Sequence, residues 1–74
     1  MPRLAGYSAD EVISKLRRAG FVFDRQAKGS HEIWWHPQTR SRTTVPRHPG
    51  DLAEGTVRAI LRQAKISVEQ FVQL

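Results

Sequence analysis

The sequence predicts an α+β fold in which helices cover one face of a three-stranded antiparallel sheet. Apolar residues recur at helical spacing near both ends of the chain, and short β-branched or aromatic runs separated by turn residues fill the middle. The chain has 74 residues and no cysteine, so we expect one small domain, residues 1–74, without disulfides. A domain of this size buries only about 60% of the surface of its unfolded chain, so any active surface should be shallow.

The first helix is predicted over about residues 9–19, after a short lead-in at residues 1–6. Ser8 and Glu11 have the spacing of a capping box, and Gly20 is a typical C-terminal stop. The apolar stripe consists of Val12, Ile13, Leu16 and Ala19. The basic residues Lys15, Arg17 and Arg18 lie off this stripe, either as a solvated face or beside a nucleic acid.

Three strands are predicted at residues 21–26, 31–36 and 42–45, the last closed by Pro46. Residues 27–30 form the first turn and residues 37–41 the second connection. Strand alternation places each of the two adjacent tryptophans on a different face of the sheet. One face carries His31, Ile33 and Trp35, and the other carries Glu32, Trp34 and His36. The pattern alone does not decide which face is covered.

Two more helices are expected after the sheet. Asp51 is the predicted cap of the second helix, with Glu54 three residues later, and Ser67 is the predicted cap of a short last helix, with Gln70 three residues later. The residues of the last helix expected to pack on the core are Phe71, Val72 and Leu74. The resulting α-β-β-β-α order, with a short extra C-terminal helix, is the plan of a double-stranded-RNA-binding-like domain.

The charge balance favours a polyanionic partner. The net charge is +5, and nine arginines against three lysines suit bidentate phosphate recognition. No apolar run approaches the ~20 residues that a membrane-spanning helix needs. We therefore expect a cytoplasmic protein that does not bind membranes, with RNA, DNA or an acidic protein as its partner.

The segment Lys28-Gly29-Ser30-His31 carries the predicted chemistry. Glycine lets the backbone turn tightly and lets a ligand approach it, and imidazole exchanges protons near neutral pH. His31 is thus the candidate acid or base for RNA cleavage, with Lys28 and the backbone N–H groups of Gly29 and Ser30 as phosphate contacts. The alternative is that Gly29-Ser30 is only a hairpin turn and His31 only the first residue of a strand.

The basic loop at residues 46–51 supplies two further candidates. Arg47 is a candidate RNA contact, and His48 is either a second proton carrier or a residue that positions RNA. No spacing among His31, His36 and His48 matches a known zinc pattern, so neither a metal nor another cofactor is predicted.

Several segments together resemble the HicA toxins. They are Lys15-Leu16-Arg17-Arg18-Ala19-Gly20-Phe21, Lys28-Gly29-Ser30-His31, Val45-Pro46-Arg47-His48, Gly55-Thr56-Val57-Arg58-Ala59-Ile60-Leu61 and Ile66-Ser67-Val68-Glu69-Gln70-Phe71. The resemblance covers nearly the whole chain and implies a small mRNA interferase with a double-stranded-RNA-binding-like fold. It assigns the catalytic role to His31 and implies a HicB-type antitoxin that covers the active face.

Two other functions remain open at this point. One is a non-catalytic RNA-binding module of the same fold, in which His31 is one more polar contact. The other is an interaction protein whose basic surface meets an acidic partner.

Overall fold

The computed structural model describes residues 3–74, so Met1 and Pro2, the start of the predicted lead-in, lie outside the described residues. A helix, three strands and two further helices follow one another in the predicted order. Their bounds are α1 Ala9–Arg18, β1 Val22–Gln26, β2 His31–Trp35, β3 Arg42–Pro46, α2 Glu54–Ala64 and α3 Val68–Gln73. This confirms the predicted α+β, double-stranded-RNA-binding-like fold.

The strands form an antiparallel meander in the order β1-β2-β3. Strands β2 and β3 pair in unbroken register, for example Ile33 with Thr44. The pairing of β1 with β2 shifts between Phe23 and Arg25, because two residues of β1 advance against one of β2. Asp24 is therefore the extra residue of a β-bulge, which bends the strand and redirects its side chains.

The helices cover the face of the sheet that carries Trp34. Trp34 is only 2% exposed and belongs to the same core cluster as Val45 of β3. By alternation, the open face of the sheet carries the paired residues His31 and Pro46, Ile33 and Thr44, and Trp35 and Arg42. The structure thus decides what the pattern left open: Trp34 packs in the core and Trp35 lies on the open face.

The core lies between the Trp34 face and the helices, and includes residues from all three helices and from β2 and β3, but none from β1. Leu4 is fully buried, whereas the sequence predicts only a lead-in there. The prediction that Val72 packs on the core is wrong, because it is 37% exposed while Phe71 is fully buried. Neighbouring residues on a helix point about 100° apart, and here Phe71 takes the inward direction while Val72 points toward solvent.

Two of the three predicted helix caps form. Ser8 and Glu11 make both bonds of the capping box, and the Ser67 hydroxyl accepts the backbone N–H of Gln70 at 3.0 Å. Among residues 3–74, no helix has the length and apolar content that a membrane crossing requires.

The predicted Asp51 cap is wrong. Helix α2 begins at Glu54, and its N-cap residue Ala53 offers no side-chain hydrogen bond. Asp51 instead forms an isolated antiparallel bridge with Ser8, and the backbone N–H of the buried Leu52 donates to the Tyr7 carbonyl at 2.8 Å. These contacts hold the loop extended past Asp51, so the helix starts later.

Candidate functional site

The turn that precedes β2 is narrow and open to solvent. The backbone N–H of Ala27 donates to the His31 carbonyl at 2.8 Å, and the side chain of Gln26 donates to the Gly29 carbonyl at 3.3 Å. Gly29 has φ +71°, and nothing lies within 4 Å of the position that a Cβ would take. Glycine is thus favoured for the backbone conformation, and a ligand can reach the backbone here.

His31 stands at the point where this turn becomes a strand. Its side chain is exposed and belongs to the open face, opposite Trp34. Lys28, Gly29 and Ser30 are exposed as well. The structure therefore presents the four residues of the predicted motif as one accessible corner, residues 28–31, backed by a paired strand.

The second predicted segment lies directly beside this corner. His31 pairs with Pro46, and the backbone N–H of Arg47 donates to the Ser30 carbonyl at 2.9 Å. His48 follows as an exposed residue on a cleft of about 360 Å³ between its own loop and the start of α1. The antiparallel pairing of β2 with β3 causes this proximity, because the first residue of one strand lies beside the last residue of the other.

The guanidinium of Arg47 does not extend toward His31. It is bonded to Asp10 of α1, and its Nε lies 3.5 Å from a carboxylate oxygen of Glu32, which faces the helices. The other oxygen of Glu32 accepts the indole N–H of Trp34 at 3.2 Å. Arg47 therefore joins the first turn of α1 to β2, and only its backbone contributes to the corner.

His36 is one of the three histidines considered as metal ligands, but its side chain makes structural contacts within the protein. Its Nδ1 accepts the backbone N–H groups of Gln38 and Thr39, both at 3.2 Å, and its ring packs edge-on against Phe21. A Cβ on Gly20 would lie 2.6 Å from the Nε2 atom of His36. Within residues 3–74, no three His, Cys, Asp or Glu side chains are grouped as a metal ion would need.

The basic residues of α1 make intramolecular contacts with α3 and the sheet. The ammonium of Lys15 donates to the carbonyls of Phe71 and Leu74 at 3.3 and 2.9 Å, and Arg18 donates to the Leu74 carbonyl at 3.2 Å. The guanidinium of Arg17 lies over the Trp34 ring. These residues therefore do more than form a solvated face, because Lys15 and Arg18 bind backbone carbonyls at the C-terminal end of α3.

One cluster on the open face had no signal in the sequence. The guanidinium of Arg42 on β3 lies over the ring of Trp35 on β2 and is bonded to the carboxylate of Asp24 on β1. Arg25 also bonds to Asp24, at 3.0 Å. Alternation from Val22 already places Asp24 on this face, and the bulge adds Arg25 to it, because Arg25 rather than Asp24 pairs with Ile33. No local pattern predicts a bulge of this kind.

The comparison with known families agrees with this geometry. The family described as "HicA toxin of bacterial toxin-antitoxin" matches residues 9–66 of the 74-residue chain. The matched range begins at the first residue of α1 and includes the whole sheet, the corner at residues 28–31 and α2. No curated protein matches the sequence. Since the family match covers well over half of the chain, the protein belongs to the HicA family, the toxins of bacterial toxin–antitoxin systems.

Proposed function

We propose that this toxin binds and cleaves mRNA as a metal-independent endoribonuclease in the cytoplasm, and that His31 is its catalytic residue. The observation that carries the proposal is the exposed imidazole of His31 on the open face, next to a glycine turn whose backbone a phosphate can reach. The family, the net charge of +5 and the arginine-rich composition support an RNA substrate.

The chemistry needs few groups, because RNA carries its own nucleophile in the 2′-hydroxyl. A base removes the 2′-hydroxyl proton, donors stabilise the charge that develops on the phosphate oxygens, and an acid protonates the leaving 5′-oxygen. We assign the first role to His31, whose place on a paired strand limits its motion while leaving it accessible. The Lys28 ammonium and the backbone N–H groups of Gly29 and Ser30 are the proposed phosphate donors.

The second proton carrier has one candidate in the neighbouring loop. His48 lies one residue beyond the backbone bond that joins Arg47 to Ser30, so it is carried on the segment adjoining the corner. We propose that His48 contacts the RNA there, as a proton donor or as a positioning group. Arg47 contributes by fixing the loop, since its guanidinium already pairs with Asp10 and Glu32.

A partner protein follows from the family, because a toxin of such a system is paired with an antitoxin. We propose a HicB-type antitoxin that covers the corner at residues 28–31 and part of the basic surface. A stable interface of this kind buries at least about 1,000 Å² in total. On complex formation, hydrogen exchange of residues 28–36 should slow; unchanged exchange there would place the antitoxin elsewhere on the toxin.

The decisive experiment incubates the purified protein with a defined single-stranded RNA, with and without a chelator, beside the variants His31→Ala and His48→Ala. We expect His31→Ala to lower the cleavage rate by about 100- to 10,000-fold, the usual contribution of one positioned acid–base group. The chelator should have no effect. The binding affinity of His31→Ala for RNA should stay within a fewfold of wild type.

Each part of the proposal has its own contrary result. Full cleavage by folded His31→Ala would refute the mechanism, and activity lost only with chelator would indicate a metal-dependent reaction. RNA binding without cleavage by the wild type would favour the non-catalytic RNA-binding module. A loss in His48→Ala as large as that in His31→Ala would assign His48 to proton transfer, and a smaller loss to positioning.

A further inference from the structure

On the open face, Arg42 contacts residues of both other strands, Trp35 and Asp24. The Arg42 side chain crosses from β3 over β2, so that its Cζ lies 5.1 Å from the centroid of the Trp35 ring. Its far end bonds to Asp24 on β1, two strands away from its own backbone. Even so, the side chain of Arg42 remains 52% exposed. The guanidinium is therefore held across the sheet by a ring beneath it and a carboxylate at its end, with part of its surface facing solvent.

This arrangement lies on the same face as His31. Both His31 and Trp35 are on β2, and the unbroken register of β2 with β3 keeps their side chains on one side. Four residues of extended strand separate them by about 13 Å. An RNA strand bound at His31 and running along β2 would reach Arg42 and Trp35 with a base near the cleavage site.

The chemistry of this face fits an unpaired base better than a duplex. Guanidinium groups and aromatic rings are the surfaces on which single-stranded bases stack, whereas a duplex presents mainly its backbone and minor groove. The charged strand residues of this face are Arg25, Arg42 and Asp24, and Lys28 follows in the adjoining turn. This balance is positive, as a phosphate backbone requires.

We propose that Trp35 and Arg42 form a stacking shelf for one unpaired base of the RNA, beside the bond that His31 cleaves. Asp24 is a positioning residue of this shelf, since it orients Arg42 without touching the base. The proposal rests on the proposed function for the choice of RNA as ligand, and it adds the residues that hold one of its bases.

The test measures binding alone, so it does not depend on cleavage. The probe is an unstructured RNA oligonucleotide with 2′-O-methyl groups throughout, which removes the nucleophile, and with 2-aminopurine placed at one position at a time. Stacking quenches the fluorescence of 2-aminopurine, so the series reports which base lies on the shelf. The variants are Arg42→Lys, which keeps the charge and loses the planar group, and Trp35→Phe, which keeps a smaller ring. The matched control is Arg62→Lys on the exposed surface of α2.

We expect Arg42→Lys to weaken binding about tenfold, within the range measured for the loss of one base-stacking contact, and to abolish quenching at one position of the series. Trp35→Phe should reduce the same quenching in part. Arg62→Lys should change the affinity by less than about twofold, because it keeps its charge and has no shelf to disrupt.

The variant Asp24→Asn distinguishes RNA binding by base stacking from RNA binding by net charge alone. This variant makes the protein more positive, so an electrostatic surface without a shelf would bind RNA more tightly. The shelf predicts the opposite signature, in which quenching at the same position falls because Arg42 is no longer held over Trp35.

Three results with the variants would overturn the shelf. The first is an RNA affinity of Arg42→Lys equal to that of Arg62→Lys, and the second is tighter RNA binding by Asp24→Asn with full quenching. The third is an Arg42→Lys variant that binds the antitoxin more weakly but binds RNA as tightly as the wild type, which would make this face a protein interface. A wild type that binds the probe with the expected quenching but does not cleave unmodified RNA would refute the proposed enzyme and support the shelf. A wild type that does not bind the probe would overturn the shelf itself.

Discussion

The backbone N–H of Arg47 donates to the Ser30 carbonyl at 2.9 Å, so the loop after β3 and the turn before β2 are joined outside the regular sheet. On its other side the turn is closed by the bond from Ala27 to the carbonyl of His31. The corner that carries His31 is thus held from both neighbouring strands. A change in the backbone of this turn should consequently alter the position of the imidazole as well as the stability.

Three glycines should respond differently to replacement by alanine. Gly29→Ala forces a non-glycine residue to φ +71° but meets no neighbour, so it should destabilise the protein by about 1 kcal/mol. Gly20→Ala has the same backbone problem at φ +100° and also meets His36, so it should cost at least about 2 kcal/mol. Gly55→Ala in α2 should stabilise by about 0.5 kcal/mol.

Urea unfolding of the three variants measures these differences. Equal losses for Gly20→Ala and Gly29→Ala would show that the contact with His36 has no energetic weight. Cleavage assays on the same set should show a loss of rate for Gly29→Ala that its small loss of stability does not account for.

Two carboxylates pair with Arg47, and they should contribute unequally to the free energy of unfolding. Glu32→Ala removes the acceptor of the indole N–H of the buried Trp34, so the free energy of unfolding should fall by about 1–3 kcal/mol. Asp10→Ala removes a carboxylate whose side chain is 82% exposed, and its ion pair with Arg47 should contribute less than about 1 kcal/mol. Chemical denaturation compares the two, and a larger loss in Asp10→Ala would contradict this ranking.

The uncapped start of α2 offers a stabilising substitution. Ala53 has the extended backbone of an N-cap residue, φ −61° and ψ 145°, but no side chain that can accept a hydrogen bond. Ala53→Ser should raise the free energy of unfolding by about 0.5–1 kcal/mol, since its hydroxyl can accept a free N–H of the first turn. Ser67→Ala, which removes an existing cap, is the matched control and should lower stability by a similar amount. An unchanged melting temperature for Ala53→Ser would argue against this.

RNA binding should depend on salt in proportion to the phosphates contacted. If three to five phosphates are neutralised, the log–log slope on single strands should be roughly −2 to −3.5. Lys28→Gln should bring the slope about 0.7 closer to zero, because Lys28 is exposed at the corner. Lys15→Gln should leave the slope unchanged, since this ammonium is bonded to carbonyls of α3. Fluorescence titrations at several salt concentrations measure the slopes, and identical slopes for the two variants would contradict the assignment.

The parts of the fold that follow from short-range patterns were predictable from the sequence. The capping box at Ser8, the cap at Ser67 and the three strands each depend on residues within a few positions of one another. The failure at Asp51 has the opposite origin. Its local spacing to Glu54 is correct, but the distant partners Tyr7 and Ser8 hold its segment extended.

In the candidate site too, features set by neighbouring residues were predictable and features set by distant contacts were not. The motif at residues 28–31 could be found by its chemistry, because a histidine after a glycine turn is visible in the sequence. The position of Arg47 could not, since it depends on ion pairs with Asp10 and Glu32 that no spacing encodes. Which tryptophan lies with His31 on the open face depends on where the helices pack, and strand alternation is equally consistent with both answers.

The bulge at Asp24 also has a consequence for how copies of the toxin meet one another. Strand β1 is an edge of the sheet, and an edge with regular, unpaired backbone groups is a template for the strand of another molecule. The extra residue interrupts that regular spacing and twists the strand, and Val22 and Phe23, which are 43% and 48% exposed, lie on this same edge strand. A chain lacking Asp24 would present a regular edge that carries the exposed apolar side chains of Val22 and Phe23. Its first defect would therefore be association that rises with protein concentration, detectable by light scattering before any loss of secondary structure.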